Sequence, residues 1–144
     1  EDSKRPRGDL PGGHCKSLFL KDKKGALFLV VTLEDRDVDL KRLRRHIGAA
    51  QLSFGRPDLL MDVLGVSPGA VTPFGLINDR ETQVCVALDG AMLAQDPLNY
   101  HPLTNEATTA IVPDGLITFI RACGHEPRIL DFEGLHRAAG EAEA

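Results

Sequence analysis

The chain has 144 residues, enough for one domain that buries about two-thirds of the surface its unfolded form exposes. Its 42% hydrophobic and 26% charged residues are those of a globular protein, and apolar runs such as Ala26 to Val31 are too short to span a bilayer. The net charge of −4 argues against indiscriminate coating of nucleic acid, yet it conceals an asymmetry. Residues 1–56 hold 13 basic side chains against 8 acids, a net of +5, and residues 57–144 hold 4 against 13, a net of −9. A basic face that docks one anionic partner is one expectation, and plain solvation of these charges is the other.

The first dozen residues, EDSKRPRGDLPG, are charged and turn-forming with no apolar core, so no secretory signal is read and a cytoplasmic location is expected. Cys15, Cys85 and Cys123 are odd in number, widely spaced and free of any C-x-x-C pair, which reads as reduced thiols; Cys85 and Cys123 fall in apolar patterns and are expected in the core. One domain is expected over 1–144, with 1–11 a flexible remnant of a longer N-terminus and 134–144 a frayed tail.

SLFLKD (Ser17 to Asp22), KKG and ALFLVVT read as a hairpin, its second strand apolar enough to be buried on both faces. Val38 to Gly48 is a predicted helix with Asp39 as N-cap, Gly48 as stop and Leu40, Leu43 and Ile47 as its buried stripe. That leaves Lys41, Arg42, Arg44 and Arg45 for solvent. LSFG is a short strand, and Pro57 opens a helix that Gly65 ends. Next comes Leu64 to Asp79, LGVSPGAVTPFGLIND, in which glycines and prolines make a stiff segment with little side-chain bulk. Such a segment can present its backbone to a ligand or serve as an ordinary turn.

Gln83 to Leu88 is a predicted strand closed at Asp89-Gly90, with Thr72 to Ile77 as its hairpin partner, and Ala91 to Ala94 a single helical turn. HPLTNEATTAIV leads from a loop into a strand ending at Val112. Pro113 opens a helix whose buried face is Leu116, Phe119 and Ile120 and whose stop is Gly124, and Arg128 to Phe132 is the last strand. Strands and helices mix without regular βαβ alternation, which predicts an α+β fold with a mixed, largely antiparallel sheet and flanking helices.

Phosphate-loop, dinucleotide and nucleophile-elbow patterns are missing from the sequence, and the five histidines show no zinc-like spacing, so no metal and no cofactor are expected. What remains is scattered: Lys16 before the first apolar run, and His101 held extended by Pro102, with Thr104, Asn105, Thr108 and Thr109 nearby. Each has an ordinary surface or packing role as its alternative.

Taken together, HCKSLFLKDKKG, LGVSPGAVTPFGLIND and HPLTNEATTAI resemble the prolyl-tRNA editing family: the insertion domain of bacterial prolyl-tRNA synthetases and its free-standing relatives of the YbaK and ProX type. The match runs from about Gly12 to Phe132 and is nearest the ProX group. The resemblance implies the editing-domain fold and trans-editing hydrolysis of mischarged Ala-tRNA(Pro). It implies that Lys16 contacts the terminal phosphate, that the G-x-x-x-P loop from Gly69 to Pro73 holds the 3′-adenosine and aminoacyl group through its backbone, and that His101 bounds the pocket. Ala70, Val71, Thr72, Asn105 and Thr108 would line the substrate, as would Ser17, which stands where the family commonly has Asn. Lys23, Lys24 and Arg45 are the expected tRNA contacts. Expected partners are tRNA, through its acceptor stem and CCA end, and prolyl-tRNA synthetase, with no membrane and no DNA. The alternatives are a non-catalytic tRNA or nucleotide binder of the same fold and an editor of serine, cysteine or another small residue.

Overall fold

The architecture grows from the first hairpin, in a computed structural model that describes residues 12–100 and 109–131. β1 (Gly13–Asp22) pairs antiparallel with β2 (Leu27–Leu33) from Cys15↔Leu33 to Lys21↔Leu27. Asp22 closes the turn: one carboxylate oxygen accepts the N–H groups of Lys24 and Ala26 at 2.9 and 2.8 Å, and the other accepts that of Ala50 at 3.0 Å. These bonds tie the hairpin to the segment after the first helix.

That helix, α1 (Leu40–Ile47), starts at Asp39, whose carboxylate accepts the Lys41 N–H at 3.0 Å, and stops at left-handed Gly48. Leu43 and Ile47 are buried as expected, whereas Leu40 is only half-buried. β3 (Leu52–Phe54) leads to α2 (Pro57–Leu64), with Pro57 in its first turn and left-handed Gly65 as its stop. Two short 3₁₀ turns follow, Pro68–Ala70 and Pro73–Asn78. The chain continues through β4 (Val84–Asp89), a 3₁₀ turn at Met92–Ala94, β5 (Leu98–Tyr100), β6 (Thr109–Ile111), α3 (Pro113–Ala122) and β7 (Arg128–Leu130).

The strand order is β6-β5-β1-β2-β4-β7, with β3 also paired to β1. Antiparallel pairs join β1 to β2, β1 to β3 and β5 to β6; parallel pairs join β1 to β5, β2 to β4 and β4 to β7. The expected mixed sheet with flanking helices is therefore present. Thr72 to Ile77, however, is not a strand. β4 pairs instead with β2 along Val84 to Leu88 and with β7 at Ala87 to Asp89, and Pro73 starts a helical turn whose Gly75 is pressed against Leu64.

Alternation along the strands sends side chains to two faces. On the first, Leu29, Val31, Val86 and Leu88 meet Leu60 and Leu64 of α2, Leu76 of the second 3₁₀ turn, and Leu116 and Ile120 of α3. On the second, Leu20, Val30 and Ala87 meet Leu43 and Ile47 of α1, with Leu52. Each such side chain contributes about 1.5–3 kcal/mol when fully buried. Phe119 is half-buried. Cys85 departs from expectation: the period of two carries it to the second face, beyond the smaller cluster, and it is exposed. Cys123 is half-buried, and Cys15 is the buried thiol. No helix among the described residues is long and apolar enough to cross a membrane.

Candidate functional site

β1 has one edge fully taken by β2, and the other is shared. β5 pairs there with Gly13 to Cys15 and β3 with Leu20 to Asp22, while the Gly55 N–H donates to the Phe19 carbonyl at 2.9 Å. On that second edge, no strand among the described residues pairs with Lys16 to Leu18. The Asp22 N–H points to β2, where it donates to Ala26, so by alternation the Ser17 backbone amide points to the second edge.

Side chains of consecutive residues leave β1 in opposite directions. Lys16 shares the second face with Leu18 and lines a groove of about 930 Å³ with Lys41, Arg44 and Arg45 of α1. In register beside Lys16 is Thr32, whose hydroxyl donates to buried Asp89 at 2.6 Å; the Arg36 guanidinium lies 3.1 Å from the same carboxylate oxygen. Ser17 faces the other way, and its hydroxyl oxygen is buried without a hydrogen-bond partner among the described residues.

On that first face the loop from Gly69 to Pro73 approaches. Val71 and Phe74 pack on the larger cluster, Pro73 is buried, and Ala70 and Thr72 are half-buried. The Phe74 ring meets Tyr100 edge to face at 5.7 Å and Phe119 at 5.3 Å. The loop thus packs against Tyr100, the last residue of β5. Burial pushes the Tyr100 hydroxyl well above its ordinary range, and the neighbouring Cys15 adds to this; the hydroxyl is buried with no hydrogen-bond partner among the described residues. Burial likewise raises the Cys15 thiol to about 11, against a smaller lowering by Tyr100. At neutral pH neither group is an anion, so this corner offers polar hydrogen-bonding atoms and no nucleophile.

The structure thus brings Ser17, Val71 and the loop toward one face and sends the Lys16 side chain to the other. Arg45 shares the Lys16 groove. Lys23 and Lys24 are exposed at the hairpin turn, about 20 Å along β1 from Lys16 at roughly 3.3 Å per residue. His101, Asn105 and Thr108 lie outside the described residues. Among those described, no group of three or more His, Cys, Asp or Glu could hold a metal ion. Residue reading overlooked Phe54 and Tyr100: an aromatic in a three-residue strand and one before a histidine carry no motif, and their placement is a product of strand pairing.

A mixed seven-stranded sheet with a helix on one face and two on the other defines the class of fold. A solved structure described as a candidate trans-editing enzyme for prolyl tRNA synthetase matches it with a TM-score of 0.69 at 19% identity, covering 95% of this chain and 78% of that one. The family model for the aminoacyl-tRNA editing domain matches residues 1–119. Among curated proteins, prolyl-tRNA synthetase associated domain-containing protein 1 of Danio rerio is 40% identical over 126 residues, 86% of this chain and 68% of the relative. Prolyl-tRNA editing protein ProX of Acetoanaerobium sticklandii is 38% identical over 111 residues, 76% of this chain and 68% of that protein. The chain belongs to the aminoacyl-tRNA editing domain family.

Proposed function

We propose that the chain is a trans-editing deacylase that hydrolyses Ala-tRNA(Pro). The need for such an enzyme follows from size discrimination. A synthetase pocket that holds proline cannot strongly exclude the smaller alanine, because a missing methylene is worth only about 1–3 kcal/mol. A second pocket that admits alanine and excludes proline rejects by the opposite rule. The aminoacyl ester is already activated by the adjacent ribose hydroxyl, so orientation of ester and water with polarisation of the carbonyl suffices. A corner with no nucleophile is adequate for that chemistry.

The observation that carries this reading is the placement of consecutive β1 residues on opposite faces, Lys16 in a groove with the cations of α1 and Ser17 on the face against which the Gly69 to Pro73 loop packs. Lys16 would hold the terminal phosphate on the second face. The Ser17 hydroxyl and the backbone from Gly69 to Thr72 would hold the ester on the first, with His101 bounding the pocket. A proline tRNA as substrate and prolyl-tRNA synthetase as a partner are supported by the names of the relatives, ProX above all.

The test is deacylation of Ala-tRNA(Pro) alongside Ser- and Cys-charged tRNAs. Lys16→Ala is expected to lower kcat/KM for alanine release by about 10²-fold, the loss that follows misplacement of a reacting group. Binding of tRNA with no turnover of any charged form would replace the hydrolase reading with a non-catalytic binding module, and faster release of serine or cysteine would replace the substrate.

A further inference from the structure

The groove beside Lys16 has an aromatic wall that the proposed chemistry does not use. Phe54 is 63% exposed at its rim, although the strand that carries it is held on both sides. Leu52 is buried in the second cluster, Phe54 pairs in register with Leu20, and the Gly55 N–H is bonded to Phe19. A phenyl ring on a rigid strand therefore stands in solvent opposite the cations of α1. The acids of the groove do not cancel those cations: Lys16, Lys41, Arg44 and Arg45 face only exposed Asp37 and buried Asp39, whose carboxylate lies 3.8 Å from Arg42.

An aromatic face beside several cations is the pairing that binds single-stranded nucleic acid, because every base has a π-face and every linkage a negative charge. We propose that Phe54 is a stacking platform for an unpaired base and that Lys41 and Arg44 take the flanking phosphates, so that the groove receives the single-stranded nucleotides preceding the terminal adenosine. The polarity of the strand rests on the proposed function; the chemistry of the groove does not.

The experiment titrates wild type, Phe54→Ala, Phe54→Trp and Lys41→Gln with three probes: a short single-stranded RNA ending in CCA, an abasic oligomer of the same length, and an oligoglutamate of equal charge. Phe54→Ala is expected to weaken RNA binding by about 5- to 100-fold and to leave the abasic oligomer unaffected, while Phe54→Trp retains affinity. Lys41→Gln is expected to weaken RNA and abasic oligomer alike. RNA affinity unchanged in Phe54→Ala, or oligoglutamate competing as well as RNA, overturns the proposal; unchanged thermal midpoints verify that the variants are folded. Phe54-dependent binding without turnover of Ala-tRNA(Pro) supports the groove and removes the hydrolase. Turnover whose KM ignores Phe54→Ala does the reverse.

Discussion

At the scale of single residues, the buried carboxylate at the end of the glycine- and proline-rich segment is held by specific partners. Asp79, which ends the glycine- and proline-rich segment, is buried against His125, with Nε2 and Oδ2 2.9 Å apart, and it accepts the N–H groups of Gln83 and Val84. Burial alone would raise its carboxyl, but the His125 contact and the two N–H groups outweigh this and hold it below the ordinary range. Because the folded state gives up this proton more readily than the unfolded chain, the stabilisation is complete above the unfolded value of about 4 and is lost as pH falls through the folded one. Asp79→Ala is expected to cost on the order of 3–5 kcal/mol at neutral pH. Urea midpoints across the acid range should also fall less steeply in the variant than in wild type; parallel curves would remove the titration from the account.

Elements show how much local chemistry sets. Both α1 and α2 end at a glycine in the left-handed region, Gly48 at φ 72° and Gly65 at φ 70°, and both were readable as stops because only glycine adopts this conformation without strain. Their surroundings differ. A Cβ on Gly48 meets nothing within 4 Å, whereas one on Gly65 comes within 2.8 Å of Asn78 Nδ2, which donates to the Leu64 carbonyl at 2.8 Å. Gly48→Ala is expected to cost about 1–2 kcal/mol from backbone strain. Gly65→Ala should cost about 1 kcal/mol more through the displaced hydrogen bond, a difference that chemical denaturation of the two variants measures. The segment from Thr72 to Ile77 shows the reverse case. Its apolar composition suits a strand, yet Pro73 starts a helical turn there that seats Leu76 in the core and Gly75 against Leu64.

At the scale of the whole molecule, the basic first half becomes two neighbouring clusters, joined where the Lys23 N–H donates to the carbonyl of groove residue Gln51 at 3.0 Å. Arg44 and Arg45 line the Lys16 groove on α1, and Lys23 and Lys24 crown the hairpin turn at the far end of β1. Each phosphate contact on duplex or single-stranded nucleic acid contributes roughly 0.7–0.9 to the slope of log K against log salt. If both sites touch tRNA, the Arg44→Gln/Arg45→Gln pair and the Lys23→Gln/Lys24→Gln pair should each flatten that slope by about 1.5. The measurement is tRNA affinity across a salt series. A slope unmoved by the lysine pair would confine docking to the groove.

By itself the sequence determined the hairpin, the helices with their caps and the mixed sheet, because periodicity, capping residues and prolines act within a few residues of one another. It also held the lysine and the G-x-x-x-P loop in recognisable order. Tertiary structure alone decided that Lys16 and that loop address opposite faces, since α1 packs on one face of the sheet and the loop with α2 and α3 on the other. It likewise decided that Cys85 is exposed and that Phe54 stands beside the α1 cations. Those outcomes depend on which strand pairs with which, and that is settled by packing between residues far apart in the chain.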